Sequence, residues 1–313
     1  MFEVKKYEKS DKHEWDSLIQ RSKNGAFLFY RDYMDYHEDR FNDNSLMIYR
    51  KEKLEAVLPG NSSNNIFYSH QGLTYGGLIQ STKLCTKDVL TIFELVNEKL
   101  KKAEIIEVIY KPIPLIYHII PSQEDVYALF KIGALKIGCN ISSIIYQNNK
   151  IKFIESRKSG IRKSIRAEVK ISESNRFDLF WPILNSNLEQ NHGTKAVHTL
   201  NEIVYLQKIF PNNIKLFLAN QEEKIVAGTV LYIMNNIVHV QYMSANEEGK
   251  SIGALDLLFD ELINKRYSFI PVFDFGHSNE KMGMHLNEQL IFQKEGFGGR
   301  GVVYETYKYN LKF

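Results

Sequence analysis

The chain has 313 residues, of which 44% are hydrophobic and 25% charged, and its 40 basic and 37 acidic residues leave a net charge of +3. This is the composition of a globular protein with a sizeable core; the length suits two domains, and the near-neutral balance gives no general argument for a polyanionic partner. The two cysteines are not spaced as metal ligands, which predicts a reduced cytoplasmic protein. The first residues lack the apolar core of a signal peptide, and no apolar run is long enough to predict a membrane span. Any membrane contact is therefore expected to be peripheral.

The first half predicts strands and helices in alternation. Residues 45–58 alternate apolar and polar around a Lys-Glu-Lys turn and predict a hairpin, and residues 65–70 predict a short strand. Residues 86–102 are amphipathic, begin with Thr and Asp and end in lysines, which predicts a helix. A buried strand, a helix and a further strand are predicted at 103–112, 122–134 and 140–147.

The same order of elements recurs after residue 171. Helices are predicted at 177–192 and 199–210, and residues 214–245 predict three strands joined by two turns. A glycine pair then precedes a helix at 253–265, a strand at 270–275, a helix near 284–295 and a last strand near 301–309. We therefore predict an α/β protein with α+β mixed sheets, built from two copies of one unit.

A basic segment joins the two halves. Residues 150–170 contain eight Lys and Arg but two Glu, a net +6 in a chain whose total is +3. On a helix, Ile161, Ile165 and Val169 would form an apolar stripe. The basic residues beside that stripe would be Lys158, Arg162 and Arg166. The segment is either the solvated face of a linker helix or a surface that faces phosphates.

This order of elements resembles the Gcn5-related N-acetyltransferase (GNAT) fold present twice, as in the Fem-type aminoacyl transferases, which add amino acids to peptidoglycan precursors, and their acyltransferase relatives. TYGGL (74–78) resembles the aromatic and glycine loop of Fem-type proteins, and IRKSIRAE (161–168) resembles their basic inter-domain segment. FDFG (273–276) resembles their late strand, and LIFQKEGFG (290–298) resembles the end of the helix that follows it. The resemblance implies two tandem GNAT-like domains. The acceptor side would be residues 1–150, the basic linker helix 151–170, and the donor and catalytic side 171–313.

Acyl transfer to an amine requires a group that takes the amine's proton and donors for the oxyanion. In a GNAT-like half the donor lies where two neighbouring strands separate. Alternation places His239 and Gln241 on one face of the first such strand and Asp274 on one face of the second, so the three converge if those faces coincide. His277 and Glu280 would lie at the rim. The candidate general bases are therefore Asp274, His277, Glu280 and His239. The alternatives are a turn cap for Asp274, an ion pair with Lys281 or Lys294 for Glu280, and a hydrogen-bonded sheet position for His239.

The glycine pair before the second-half helix predicts a donor site. Backbone amides at a helix start suit a pyrophosphate or a terminal adenosine phosphate, with a lysine nearby. The alternative is a plain glycine turn. The donor site is predicted to comprise Gly249, Lys250, Gly253, Ala254, Gln241 and Lys294.

Residues 68–79 form a second dense stretch, in which polar groups mix with three glycines. Tyr75 could stack on a sugar and His70 could hydrogen-bond to it. The alternative is a glycine-rich bend without a ligand. The acceptor site is predicted to comprise His70, Thr74, Tyr75, Gly76, Tyr242, Arg162 and Arg166.

No histidine or cysteine spacing predicts a metal site, and the sequence contains no Walker loop, dinucleotide-binding glycine motif or serine nucleophile elbow. Direct transfer is therefore expected. The resemblance implies an N-acyltransferase that moves an acyl group from acetyl-CoA or another acyl-CoA to an amino group of a cell-envelope precursor, such as a nucleotide- or lipid-linked amino sugar. The alternative is an aminoacyl-tRNA donor with a peptidoglycan or polysaccharide precursor as acceptor. A third alternative is a non-catalytic module that binds a sugar or a peptide.

Overall fold

A computed structural model describes the backbone of residues 1–311 and the side chains of all of these except residues 191 and 192. The chain divides into two compact units: Met1–Asn140 with Asn279–His285 and Val303–Phe313, and Ile141–Ser278 with Leu286–Val302. These limits differ from the predicted division at 151–170, because that segment belongs to the second unit and two C-terminal segments belong to the first. Residues 312 and 313, the predicted end of the second domain, lie outside the described residues.

The helices and strands follow in chain order. Up to residue 146 they are β1 (Phe2–Lys6), α1 (Lys12–Arg21), α2 (Arg31–Met34), β2 (Leu46–Arg50), β3 (Lys53–Leu58), β4 (Asn61–Ser63), β5 (Ile66–Tyr68), β6 (Ile79–Gln80), α3 (Thr86–Lys102), β7 (Glu107–Tyr110), α4 (Glu124–Lys131) and β8 (Leu135–Tyr146). After it they are α5 (Glu155–Arg166), β9 (Lys170–Ser174), α6 (Phe177–His192), α7 (Leu200–Ile209), β10 (Ile214–Gln221), β11 (Lys224–Ile233), β12 (Ile237–Ala245), α8 (Glu247–Ile252), α9 (Ala254–Glu261), β13 (Val272–His277), β14 (Asn279–Glu280), β15 (His285–Leu286), α10 (Glu288–Gly296) and β16 (Arg300–Asn310).

Most strands of the first unit form two sets, apart from the short pair β14 and β15. One set has the order β1-β2-β3-β6, and the other runs β4-β5-β7-β16. The predicted hairpin at 45–58 is confirmed as β2 and β3, joined through Lys51 and Glu52, both with positive φ. Helix α3 packs its apolar face, including Ile92 and Val96, into the core of this unit, and α4 adds Ala128 to the same core.

In the second unit the strand order is β8-β13-β12-β11-β10-β9. Neighbouring strands are antiparallel except β12 and β13, which run parallel. Phe259 of α9 packs with Val238, Val240 and Phe273 in one core on one face of these strands. Because successive side chains point to opposite faces of a sheet, the residues that alternate with them face away from α9. The predicted α/β class with mixed sheets is confirmed.

No helix within residues 1–311 is long and apolar enough to cross a membrane.

Candidate active site

The parallel strands β12 and β13 of the second unit separate at one end. They pair at three positions, and the last pair is His239 with Asp274. Just beyond it, β12 has a bulge at Gln241, where its register against β11 shifts by one residue. In β13, Gly276 has a φ of +72°. A bulge bends its strand and a left-handed glycine turns the backbone, so the two strands diverge after His239 and Asp274.

Asp274 and His239 form a hydrogen-bonded pair at this point. Asp274 is fully buried, and its Oδ1 accepts hydrogen bonds from Ser142 Oγ at 2.5 Å and from the Gly276 amide at 2.9 Å. Its Oδ2 lies 2.6 Å from Nδ1 of His239. Because a carboxylate only accepts hydrogen bonds, His239 donates through Nδ1 and keeps its basic lone pair on Nε2. The His239 side chain is 12% exposed, so the imidazole is the member of the pair that solvent reaches.

Lys294 fixes the end of β13 from α10. Its Nζ donates to the carbonyl oxygens of Gly276 at 2.9 Å and His277 at 2.5 Å. Burial lowers the pKa of Lys294 to about 7, although the nearby Asp274 acts to raise it. The amine is therefore balanced between its charged and neutral forms at neutral pH. Sequence reasoning assigned Lys294 to the donor site, whereas the described contacts place it at the strand end.

The other two candidate bases lie further along the chain. His277 is partly exposed, and its carbonyl is held by Lys294. Glu280 is exposed in β14, within the segment that belongs to the first unit. Roles for both in catalysis stay predictions. Sequence reasoning missed Ser142, whose only signal was a pair of serines inside an otherwise apolar strand.

Gln241 and Tyr242 follow the last strand pair on β12. The Tyr242 hydroxyl lies 2.7 Å from Nδ1 of His198, and its ring meets Trp181 edge-on at 5.5 Å. Burial raises the pKa of Tyr242, while hydrogen bonds that include one with the Gln241 side chain act to lower it. Their predicted contacts with donor and acceptor stay predictions.

A pocket of about 310 Å³ opens beside the start of α9. Its walls come from α5, the end of β12, α8, α9 and α10. The predicted donor residues Gly249, Lys250 and Gly253 line it, whereas Ala254 is fully buried. The polar side chains that line the pocket are Arg157, Lys250, Asp256, Gln289 and Gln293, and Phe292 adds an aromatic wall. Of these, Arg157 belongs to the predicted basic segment, but the sequence did not predict it as a donor-site residue.

The glycines at this pocket are required by packing. Gly249 of the predicted glycine pair lies within the short helix α8, which Asn246 caps, and Gly253, with a φ of +74°, joins α8 to α9. A Cβ on Gly249 would lie 2.2 Å from the carbonyl oxygen of Val226, and a Cβ on Gly253 would lie 2.6 Å from the Cα of Gly160. Both positions therefore need glycine even without a ligand, and the glycine pattern by itself does not indicate a pyrophosphate site.

Helix α5 covers the start of α9 with small residues. Gly160 and Ser164 are its buried positions, and Ser164 Oγ donates to the Ile252 carbonyl at 2.8 Å. Ile165 is 60% exposed, so the prediction that the apolar stripe is the buried face of this helix is wrong. Small residues take the buried positions because the backbones of α5 and the start of α9 lie too close together for larger side chains. Arg157 turns inward and pairs with Asp256 at 2.7 Å. The exposed basic residues of α5 are Lys158, Arg162, Lys163 and Arg166.

Gly160→Val is expected to destabilise the second unit by about 2 kcal/mol. A Cβ at this position would lie 1.8 Å from Oδ2 of Asp256. The Asp256 side chain would have to move, and this would disturb its ion pair with Arg157. Valine is a better helix former than glycine by only about 0.3–0.5 kcal/mol, which is less than the usual cost of overpacking. Urea unfolding measures the difference, with Ser156→Ala at an exposed position of α5 as the control. A Gly160→Val protein as stable as the control would contradict this packing.

The predicted acceptor loop lies in the first unit and is largely buried. Tyr75 is buried, and its ring centroid is 4.5 Å from that of Tyr117. His70 is also buried, and burial lowers its pKa to about 3, which keeps the ring neutral. A side chain at Gly76 would collide with backbone, while Thr74 is exposed. A sugar that stacks on Tyr75 would have to displace aromatic neighbours, and the acceptor roles of these residues stay predictions.

No group of three metal-ligating side chains comes together among the described residues.

The fold is similar to that of several solved structures. The alignment with the crystal structure of FemX covers 98% of this chain and 97% of the FemX chain, with a TM-score of 0.69 and 11% sequence identity. The alignment with L-PGS from Bacillus licheniformis covers 96% of this chain and 92% of the L-PGS chain, with a TM-score of 0.59 and 15% sequence identity. The alignment with a tandem GNAT protein from the clavulanic acid biosynthesis pathway covers 100% of this chain and 99% of that protein, with a TM-score of 0.52 and 8% sequence identity. The predicted tandem GNAT-like fold of Fem type is confirmed.

No family model matches the sequence, and no curated protein matches it. At these low identities the solved structures establish the fold alone, and the chemistry is argued from the residues of this chain.

Proposed function

We propose that this chain is an acyltransferase that forms an amide on an amino group of a cell-envelope precursor bearing an amino sugar or a peptide. The observation that carries the proposal is the His239–Asp274 pair at the point where β12 and β13 separate. A base at that point borders the split in which a GNAT-like or Fem-type donor would lie. The acceptor class follows from the Fem-type resemblance.

In the proposed reaction, the acceptor amine attacks the carbonyl carbon of the donor. A C–N bond forms, and the bond from the carbonyl carbon to the leaving oxygen or sulfur breaks. Nε2 of His239 takes the proton that the amine loses, and Asp274 stabilises the resulting imidazolium. The imidazolium then gives this proton to the leaving group, which restores the neutral histidine. Backbone N–H groups of β12 beyond the bulge are the proposed donors to the oxyanion.

The donor is proposed to be aminoacyl-tRNA, with acyl-CoA as the second candidate. Arg157 and Lys250 line the pocket beside α9 and could meet a phosphate-bearing handle of either donor. In the structure Arg157 pairs with Asp256 and Lys250 pairs with Glu247, so a phosphate would have to compete with these carboxylates. Asp256, however, places a carboxylate in the first turn of α9, where a pyrophosphate would otherwise meet the positive helix end.

The outer face of α5 supports the larger donor. Lys158, Lys163 and Arg166 are exposed on the helix that also supplies Arg157 to the pocket. Several exposed cations on the helix that lines the pocket suit a nucleic-acid backbone, which presents many phosphates, better than they suit a single CoA. In the Fem-type transferases that the chain resembles, the donor is an aminoacyl-tRNA.

Binding of deacylated tRNA and of CoA, measured separately over a range of salt concentrations, tests the donor. Changing Lys158, Lys163 and Arg166 together to Gln is expected to weaken tRNA binding about tenfold or more at low salt and to reduce the salt slope by about two to three. The control changes Lys99, Lys101 and Lys102 of α3 to Gln, which removes the same charge from the first unit. Saturable CoA binding with equal effects of both triple variants on tRNA would favour acyl-CoA instead.

A further inference from the structure

The first unit exposes a concentrated apolar surface at the end of α4. Within residues 127–137, five large side chains are between 37% and 77% exposed: Tyr127, Phe130, Ile132, Leu135 and Ile137. We name these five residues the α4 tip. Single exposed apolar residues are ordinary, but five within eleven positions, with Phe130 at 77% and Leu135 at 68%, are a local concentration of exposed apolar side chains that points to an interaction.

The α4 tip is fixed to the core behind it. Ala128 and Leu129, which lie between the exposed residues of α4, are fully buried in the core of the first unit. Tyr110 donates its hydroxyl proton to the buried Asp125, at 2.8 Å, two residues before the first residue of the tip. The exposure of Phe130 is therefore a property of a packed helix, because the opposite face of the same helix is already in the core.

The turn in the tip opens into solvent. Gly133 has a φ of +75°, and a Cβ on it would have no atom within 4 Å. No Asp or Glu occurs between residues 126 and 154. Two lysines lie between the tip residues in the chain: Lys136 pairs with Glu305, whereas Lys131 makes no ion pair within the described part of the chain. The tip therefore combines apolar side chains with a net positive charge.

Size and composition favour a lipid surface over a protein partner. A stable protein interface uses about 20–30 residues on each side, and lysine is depleted from its centre. The tip offers five apolar side chains with lysines among them. A bilayer surface needs no more than this: apolar side chains enter the acyl boundary, tyrosine suits the headgroup level, and lysine reaches anionic phosphates.

We propose that the α4 tip docks the first unit onto an anionic membrane surface. Phe130 and Leu135 enter the headgroup and acyl boundary, and Lys131 meets lipid phosphates. This site is separate from the residues of the proposed reaction, so the docking is independent of which donor is used. It would retain the protein at the surface where a lipid-linked acceptor is held.

Vesicle co-sedimentation of the full chain tests the docking. The vesicles are pure phosphatidylcholine, and phosphatidylcholine with about 30% phosphatidylglycerol. The unchanged protein is expected to bind the anionic vesicles more tightly, and to lose that preference at high salt. Phe130→Asp combined with Leu135→Asp is expected to lower vesicle binding at least about tenfold. Lys131→Glu is expected to weaken binding to the anionic vesicles alone.

The matched control is Phe269→Asp in the second unit, where the side chain is equally exposed at 77%. It is expected to leave vesicle binding unchanged, and circular dichroism checks that all variants keep their fold. An unchanged protein that does not sediment with anionic vesicles would overturn the proposal. Equal loss in the Phe269 control would overturn it too. So would a concentration-dependent dimer that the double variant abolishes, because the tip would then be occupied by a second copy of the chain.

Discussion

Asp274→Asn is expected to lower the rate of acyl transfer by about 10²- to 10⁴-fold while the protein stays folded. The amide oxygen can still accept from Ser142 and the Gly276 amide, but its NH₂ group then faces Nδ1 of His239. Nδ1 must now accept a hydrogen bond, so the imidazole proton moves to Nε2 and that nitrogen can no longer take a proton from the amine. Steady-state kinetics with a saturating acceptor measures the loss in kcat.

His239→Gln should lose activity to a similar extent, and the double variant should lose little more than either single one, because the two side chains act as a unit. Asp178→Asn is the control, since this carboxylate is exposed on α6 and pairs with Arg176. Its activity should stay within a few-fold of the unchanged protein. Losses that multiply in the double variant would contradict a shared role for Asp274 and His239.

Lys294→Met is expected to change both the pH dependence of stability and the activity. The folded pKa of Lys294 is about 7, against an ordinary value of 10.5, so between these pH values the unfolded state binds more protons. The free energy of unfolding therefore rises with pH in that window, by up to about 1.4 kcal/mol per pH unit for this group. The methionine variant cannot titrate and should lose this rise. Urea unfolding at several pH values from neutral to about 10 measures it.

The same substitution removes the two hydrogen bonds that hold the Gly276 and His277 carbonyls. Because the end of β13 then loses its anchor next to His239, kcat/KM is expected to fall by about 10- to 100-fold. Lys208→Met is the control, as Lys208 is exposed on α7. If the unchanged protein shows no rise in stability across this pH range, or if Lys294→Met keeps it, the titration does not belong to Lys294.

Strong local patterns in the sequence were sufficient for much of the fold. The amphipathic stretch with a capped start and a lysine-rich end became α3 at the predicted residues, Thr86–Lys102. Strand alternation placed His239 and Asp274 on faces that could coincide, and the structure brings them within 2.6 Å. In both cases the information lies within one element or in its period, which a single sequence carries.

Long-range packing was not predictable in the same way. Ser142 meets Asp274 across 132 positions of the chain, and nothing local to either residue indicates the other. The buried face of α5 consists of Gly160 and Ser164, which a search for apolar periodicity ranks below the exposed Ile165. The glycines at 249 and 253 look like a phosphate loop in sequence, but their neighbours in space explain them through packing.

A transfer assay that follows the mass of the acceptor tests the proposed reaction most directly. The protein would be incubated with amine-bearing envelope precursors and either charged tRNA or acyl-CoA. We expect a new amide on the acceptor with the unchanged protein, and at least about a hundredfold less with Asp274→Asn at unaltered donor binding. No amide from either donor, with saturable binding of the acceptor, would contradict an acyltransferase and point to a module that only binds its sugar or peptide.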